Sequence, residues 1–390
     1  MKGHEYMEVE SRRQHREFEQ TIPHEVERKF IPIFPEQLEP YRIEALPIEQ
    51  YYLSHPTEEF SLRMREILRD GGLVYEATLK DAGSVTPAGI DRLEVTAEIT
   101  EELYKQYKTD ETPCIRKLRA EPITGVTIDF YEDGHIQIES ENESSWQTFI
   151  ARENDAFVEI TGDKSSSNEW QAHLQYRRLH NGSETLQPGQ ELSVDDIARD
   201  VLLAVYQRRV PVCLHVAGRS GSGKSTMVRS LQERLASLRL SSQVISTDDY
   251  HRGHTWLEAY NNGAPWQHWD DPIVYDTITM AADLAQLRAG NTIPKREIDW
   301  QIVEPCYPGT ISPSDVIIIE GVYAQSPDIT ADTDLQYEMT TPLATCIGRR
   351  IIRDITERPD MADPSINLSY MLTDAEPAYR AQRQSMEASV

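Results

Sequence analysis

Between residues 22 and 180 apolar and polar positions alternate in short segments separated by Gly, Pro, Asp and Asn, the pattern of antiparallel strands joined by turns. In HEVERKF, Glu25, Glu27 and Lys29 share one face and Val26 and Phe30 the other. The same division recurs in six further segments. Arg63 and Arg65 oppose Leu62 and Met64; Glu76, Thr78 and Lys80 oppose Tyr75, Ala77 and Leu79. Arg92, Glu94 and Glu98 oppose Leu93, Val95 and Ala97, and Lys117 and Arg119 oppose Leu118. Glu139 and Glu141 oppose Ile136 and Ile138, and Glu159 opposes Val158 and Ile160. One such strand fits a sheet face wetted by solvent. A set whose polar faces carry paired carboxylates or paired cations predicts strands closed into a barrel, charges inward and apolar faces packed outward. Charges enclosed in this way need partners. A polyphosphate with a divalent cation satisfies both signs, since Arg and Lys hold phosphate oxygens and carboxylates hold a hard metal.

The pattern changes after His180, where the polar, breaker-rich stretch NGSETLQPGQ reads as a linker. SVDDIARDVLLAVYQRR then predicts a helix, with Ser193 and Asp196 spaced as a capping box and Val194, Ile197, Val201 and Val205 at helical spacing. From 210 onward apolar runs such as VCLHVAG and DVIIIEG alternate with helical stretches, which predicts a parallel sheet with crossover helices. The expected organisation is a tail over 1–21, a barrel domain over 22–180, a linker and helix over 181–209, and an α/β domain over 210–390. The expected fold class is therefore α+β, a closed antiparallel β-barrel, followed by an α/β domain with a parallel sheet.

Composition limits the function. The chain has 390 residues, a hydrophobic content of 39% and no run near the ~18 apolar residues of a membrane span. A formal charge of −26 argues against nonspecific binding to nucleic acid or anionic lipid. Cys114, Cys213, Cys306 and Cys346 lie far apart without C-x-x-C spacing, so no disulfide framework or zinc site is expected, and a reducing cytoplasm fits.

One motif carries chemistry by itself. Gly218-Arg219-Ser220-Gly221-Ser222-Gly223-Lys224-Ser225 is a complete G-x-x-x-x-G-K-[ST] loop after an apolar strand and before a helical run from Thr226. Its backbone N–H groups close around phosphate, Lys224 reaches the β and γ phosphates of ATP, and Ser225 serves as a Mg²⁺ ligand. Asp248 and Asp249 follow the next predicted strand, and Glu320 ends VIIIE, where a carboxylate can hold the metal. Arg349, Arg350, Arg353 and Arg358 suit a charge-stabilising lid.

Each half also resembles a known family. Glu25-x-Glu27-x-Lys29 and the later FVEITGDKSSSN resemble the CYTH superfamily of triphosphate tunnel metalloenzymes over about 22–180. That resemblance implies that Glu25, Glu27, Glu94, Glu139, Glu141 and Glu159 hold Mg²⁺ or Mn²⁺. It implies that Lys29, Arg63, Arg65, Lys80, Arg92, Lys117, Arg119 and Lys164 grip a triphosphate. Ser165-Ser166 and Asn142 depart from the family pattern.

From about 210 to 380 the chain resembles the uridine kinase and phosphoribulokinase branch of P-loop kinases. Ser246-Thr-Asp248-Asp-Tyr250 resembles its "DDFY" region, implying Asp248 as general base. His268-Trp-Asp270-Asp-Pro272 implies Asp270 as a sugar-hydroxyl contact, and the arginine run resembles the family lid. The nucleobase segment departs, appearing as Pro294-Lys-Arg-Glu-Ile-Asp299-Trp300-Gln, so His251, Arg252 and Trp300 are candidate acceptor contacts. The expected protein is a P-loop kinase acting with ATP and Mg²⁺ on a nucleoside-like hydroxyl, fused to a barrel that binds or hydrolyses triphosphate. In the alternative, the barrel is a sensor that regulates the kinase without hydrolysis.

Overall fold

The computed structural model describes residues 23–69, 71–153, 157–180, 193–207, 211–330, 333–357 and 363–387. The chain divides into two compact units, Met1–Pro188 with Gly348–Ser369, and Gly189–Ile347 with Tyr370–Val390.

The first unit is built on strands β1 (His24–Pro32), β2 (Leu46–Tyr52), β3 (Phe60–Arg69), β4 (Gly72–Asp81), β5 (Ser84–Thr86), β6 (Gly89–Ile99), β7 (Cys114–Ile123), β8 (Val126–Tyr131), β9 (Ile136–Ser140) and β10 (Phe157–Glu159). Neighbours run β1-β9-β8-β7-β2-β3-β4-β6, and pairing of β6 back onto β1 closes an eight-stranded antiparallel barrel with β5 and β10 alongside. The register explains why charged strands tolerate closure. Directly opposed residues share a face, and the ladder sets Arg65 against Glu76, Lys80 against Glu94, Lys29 against Glu139, Glu25 against Arg92 and Arg119 against Asp129.

The alternate positions form the outer apolar layer. Phe30, Ile128, Phe130 and Ile138 pack with Trp146 and Phe149 of α2 (Glu143–Glu153), and the Phe30 and Trp146 rings stack at 3.8 Å. On another side Tyr51 and Tyr75 meet Tyr104 of α1 (Glu101–Tyr107), whose first turn is capped by the Thr100 hydroxyl accepting from the Leu103 N–H at 3.1 Å. Helix α3 (Asn168–Leu179) instead meets the inward-facing side, placing Ala172 against Tyr52, Ile115 and Tyr131, which share the face of Arg63 and Lys117.

In the second unit β11 (Val212–Gly218), β12 (Ser242–Ser246), β15 (Val316–Gly321) and β16 (Leu335–Met339) form a parallel sheet in the order β12-β15-β11-β16. Strands β13 (Ile293–Asp299) and β14 (Glu304–Ile311) make a separate hairpin. Val316 and Ile318 face α4 (Val194–Gln207) and α5 (Lys224–Ser237), while Ile317 and Ile319 face α7 (Thr277–Arg288), so the sheet is covered on both sides. The helix expected after the linker thus contributes Ile197, Ala198 and Val201 to this core. Helix α6 (His254–Tyr260) also belongs here, α8 (Leu343–Glu357) and α9 (Pro364–Tyr370) lie mostly in the Gly348–Ser369 segment assigned to the first unit, and α10 (Glu376–Glu387) belongs to the second. Ile318 is fully buried in an inner strand. Ile318→Ala is expected to cost about 2–5 kcal/mol, read as a lower denaturation midpoint, whereas Ile278→Ala at a position 73% exposed leaves it nearly unchanged.

Among the described residues no disulfide joins any of the four cysteines. Among the same residues no helix is long and apolar enough to cross a membrane.

Candidate functional site

The barrel encloses a cavity of about 670 Å³. Of the residues the sequence proposes there, Glu25, Glu27, Lys29, Arg63, Arg65, Lys80, Arg92, Glu94, Arg119, Glu139, Glu141 and Lys164 line it. The side chains form a network of ion pairs: Lys29 Nζ lies 3.2 Å from Glu27 and 2.9 Å from Glu139, Arg92 lies 2.5 Å from Glu27, and Arg119 lies 2.7 Å from Glu139. Lys80 is shared by Glu25 at 2.7 Å and Glu94 at 2.8 Å. Burial opposes ionisation of Glu139, but Lys29, Arg119 and Lys117 outweigh it and hold the carboxyl well below the usual range. Arg65 is pushed down to about 10 by burial and by Arg63, with Glu76 opposing.

Two expected residues stand elsewhere. Glu159 pairs in register with Phe30, so it shares the outer face, where its carboxylate accepts from Arg28 Nε at 3.0 Å and Nη2 at 2.7 Å. The expectation of a metal ligand at Glu159 is corrected: alternation within FVE gives a face, and pairing with β1 makes that face the outside. Lys117 points inward but does not line the cavity. Its Nζ lies 2.5 Å from Asp129 and 3.3 Å from the Asn168 amide oxygen. Asp129 also receives Arg119 Nε at 2.7 Å and Nη2 at 2.6 Å. Burial and the neighbouring Arg119 outweigh Asp129 and Glu139 and push Lys117 down to about 7.

Asp129 was missed because TIDFY carries a single charge, although Thr127, Asp129 and Tyr131 alternate with Ile128 and Phe130 as in the other strands. Glu58 and Glu169 also line the cavity and come from a turn and a helix end, where no period of two marks them, whereas Glu121, which lines it too, continues the Lys117 and Arg119 face of β7 and was open to the same alternation.

The donors present fit a hard divalent cation in kind. Burial, and then Glu25, Glu94, Glu121 and Glu139, raise Glu141, which makes no ion pair among the described residues. This excess of carboxylate around Glu141 is what a cation would relieve. No group of three or more such ligands converges among the described residues, because Glu25 and Glu94 are drawn onto Lys80.

In the second unit the loop from Gly218 leads straight into α5, whose first residue is Lys224. Gly221 has φ +79°, and a Cβ there would lie 2.2 Å from the Cys346 carbonyl oxygen, so only glycine fits. Lys224 Nζ donates to the Gly218 and Arg219 carbonyls at 2.9 and 2.8 Å. Ser222 is buried with its hydroxyl unpartnered in the loop, Ser220 is half-buried, and Thr226 is exposed on the first turn of α5. The Arg219 side chain is held bidentately by Glu376 of α10 at 2.8 and 3.1 Å, so only its backbone shapes the cradle.

Ser225 Oγ donates to Glu320 at 3.2 Å, and burial raises Glu320, with Lys224 opposing and Asp248 adding to the effect. Two hard oxygens beside this surplus of negative charge suit Mg²⁺. Asp248 is exposed at the end of β12, whereas Asp249 accepts from the Ser246 N–H at 3.2 Å as part of a capping box. Burial pushes Asp249 up to about 6.

Asp270 accepts from the Tyr370 hydroxyl at 2.8 Å, and its backbone carbonyl accepts from Tyr323 at 2.5 Å. His251 is buried, accepts from the Gly253 N–H at 2.9 Å, and is pushed down to about 4 by burial, which keeps it neutral. The Trp300 ring, 45% exposed, meets it edge-on at 5.8 Å. Arg252 donates to the Ile273 carbonyl at 3.0 Å and lies over Trp256. Arg349 pairs with Glu59 at 2.9 Å, and Arg353 and Arg350 both face Asp354. Arg358 lies outside the described residues. Glu376, Tyr370 and Tyr323 were not legible in sequence, since each meets its partner from far along the chain.

The phosphoribulokinase / uridine kinase family model matches residues 213–379. The uridine kinase of Oceanobacillus iheyensis is 30% identical over 165 residues, 41% of this chain and 75% of that protein. That of Brevibacillus brevis is 32% identical over 151 residues, 38% of this chain and 68% of that protein. The solved structure of the inorganic triphosphatase NE1496 is 21% identical with a TM-score of 0.24, covering 38% of this chain and 93% of that one. With a P-loop seated on a parallel sheet and relatives matched over most of their own length, the chain belongs to the phosphoribulokinase / uridine kinase family through its C-terminal half.

Proposed function

We propose that the second unit is an ATP-dependent kinase acting on a hydroxyl of a nucleoside-like acceptor of uridine or cytidine type, and that the barrel binds or hydrolyses triphosphate or polyphosphate. The observation that carries the kinase reading is the meeting of Lys224, Ser225 and Glu320 at the carboxyl edge of one parallel sheet, with Asp248 close enough to shift Glu320. Asp248, exposed there, takes the acceptor's hydroxyl proton as general base. Lys224 gives up the loop carbonyls it now holds and turns its ammonium to the β and γ phosphates. Asp270, oriented by Tyr370, accepts from acceptor hydroxyls, while His251, Arg252 and Trp300 border the acceptor. The lid that would neutralise the transferring group is the role that the family resemblance implies for Arg349, Arg353 and Arg358. Ser225 and Glu320 in the kinase, and Glu25, Glu94 and Glu141 in the barrel once released from Lys80, would hold Mg²⁺ or Mn²⁺, which would neutralise phosphate charge.

The test is phosphoryl transfer from ATP across a nucleoside panel. Asp248→Asn is expected to lower kcat about 10²–10⁴-fold with little change in the KM for ATP. A rate equal to wild type for every acceptor phosphorylated removes Asp248 as base. In the barrel, the lumen carboxylates already committed to Lys29, Lys80 and Arg92 favour a second reading, a sensor that binds polyphosphate without turnover. Tight tripolyphosphate binding with no phosphate released supports the sensor, and release supports hydrolysis.

A further inference from the structure

Two carboxyl groups on the tunnel wall have no task in the reading above. Glu169 stands in the first turn of α3 and Glu58 in the turn before β3, and both line the 670 Å³ cavity. Glu25, Glu27, Glu94 and Glu139 are matched to bases in the lumen, but neither Glu58 nor Glu169 makes an ion pair among the described residues. The Ser54 hydroxyl accepts from the Leu62 N–H at 2.8 Å and spends its one proton on Glu169. Glu58 accepts from the His55 N–H at 2.8 Å through one oxygen, while its other oxygen is buried without a partner. An ionised oxygen enclosed there without a partner is costly, whereas a carboxylic O–H needs only an acceptor, which a side-chain rotation toward the cavity that Glu58 lines would reach.

We propose that Glu58 and Glu169 meet the polyphosphate as neutral carboxylic acids, each donating an O–H bond to a phosphoryl oxygen. The proposal rests on the reading of the barrel as a polyphosphate tunnel and assigns one wall of it to proton donation, in contrast to the ionic walls opposite. The surroundings favour the neutral form. Burial pushes both groups up to about 7, and for Glu58 the neighbouring Glu169 adds to the rise. The His55 N–H opposes it at Glu58, and Ser54, Ser61 and Arg92 oppose it at Glu169 without prevailing. The other titratable or charged groups facing the pair are Tyr52 of β2, His55 in the turn, Arg63 of β3 and His173 of α3.

Below about pH 7 both groups carry protons and donate; above it they ionise, and a carboxylate then faces phosphate oxygens. Binding should weaken with rising pH, by about tenfold per pH unit for each proton that binding must recover. The experiment is calorimetry of the full chain with inorganic tripolyphosphate from pH 6 to pH 8.5 in buffers of differing ionisation enthalpy. Wild type is expected to show that rise in Kd above about pH 7 and to take up protons on binding at pH 8. Glu169→Gln should reduce the slope, and the E58Q/E169Q double variant should reduce it further and abolish the extra uptake. Tripolyphosphate and Lys117 also titrate in this range, but equally in all three proteins, so the difference between slopes isolates the pair. Equal slopes and equal uptake in wild type and double variant overturn the proposal while leaving the tunnel reading intact. Absence of tripolyphosphate binding at every pH overturns the tunnel reading itself. If the double variant does not fold, wild-type binding that takes up no protons at pH 8 still overturns the proposal.

Discussion

Lys224→Ala is expected to lower ATP-dependent phosphorylation of every acceptor about 10²–10³-fold, the loss seen when one donor aimed at developing charge is removed. The ammonium has two tasks that alanine cannot perform. It ties the Gly218 and Arg219 carbonyls together from the inside of the loop, and in the proposed reaction it moves to the phosphates. Because Lys224 is not among the residues that line the tunnel, tripolyphosphate binding there should be the same in wild type and K224A. A panel assay with radiolabelled ATP, run beside tripolyphosphate calorimetry, checks both halves. Undiminished transfer by the alanine variant would remove the kinase assignment.

The largest stability effect should come from Asp129→Ala. Asp129 is fully buried and compensates Lys117 and Arg119 at once, so its removal leaves the enclosed Lys117 ammonium without its carboxylate and Arg119 with Glu139 alone. Breaking a buried pair on one side costs about 3–5 kcal/mol, to be read as a shifted denaturation midpoint of the barrel. Lys117→Met should cost clearly less, because Arg119 still covers Asp129 and a poorly accommodated ammonium disappears. The pH dependence separates these cases. Lys117 falls to about 7 in the fold from 10.5, so it burdens the native state at low pH, and the burden lifts as pH rises from about 7 toward 10.5. Wild type should gain stability through that window relative to K117M. A K117M variant as unstable as D129A would contradict this account of the triad.

The lumen was largely legible because charge pairing and strand period are the same signal. Once Arg63, Arg65, Lys80 and Glu139 fall on one face by alternation, closure can only turn them inward or strand them on a surface. Glu159 shows where this reasoning ends: a three-residue strand has alternation but no intrinsic inside, and only the partnership of Phe30 with Glu159 decides. Lys117 shows a second limit, since depth along a lumen depends on how α3 seats Ala172 and Asn168 against Tyr131, which are distant in sequence. The phosphate loop was legible in full because its glycines and Lys224 are contiguous. Its surroundings were not: Glu376 reaches Arg219 across 157 positions, and no local pattern announces it.

The alternation of the barrel strands also constrains how the chain can reach this state. Sliding any strand by one residue exchanges its two faces, carrying Arg65 or Glu139 into the layer held by Phe30 and Trp146 and sending leucines and isoleucines among the ions. Misaligned pairings are therefore penalised on both sides of the wall at once. The charges gathered for an anion double as a proofreading device for strand alignment during folding.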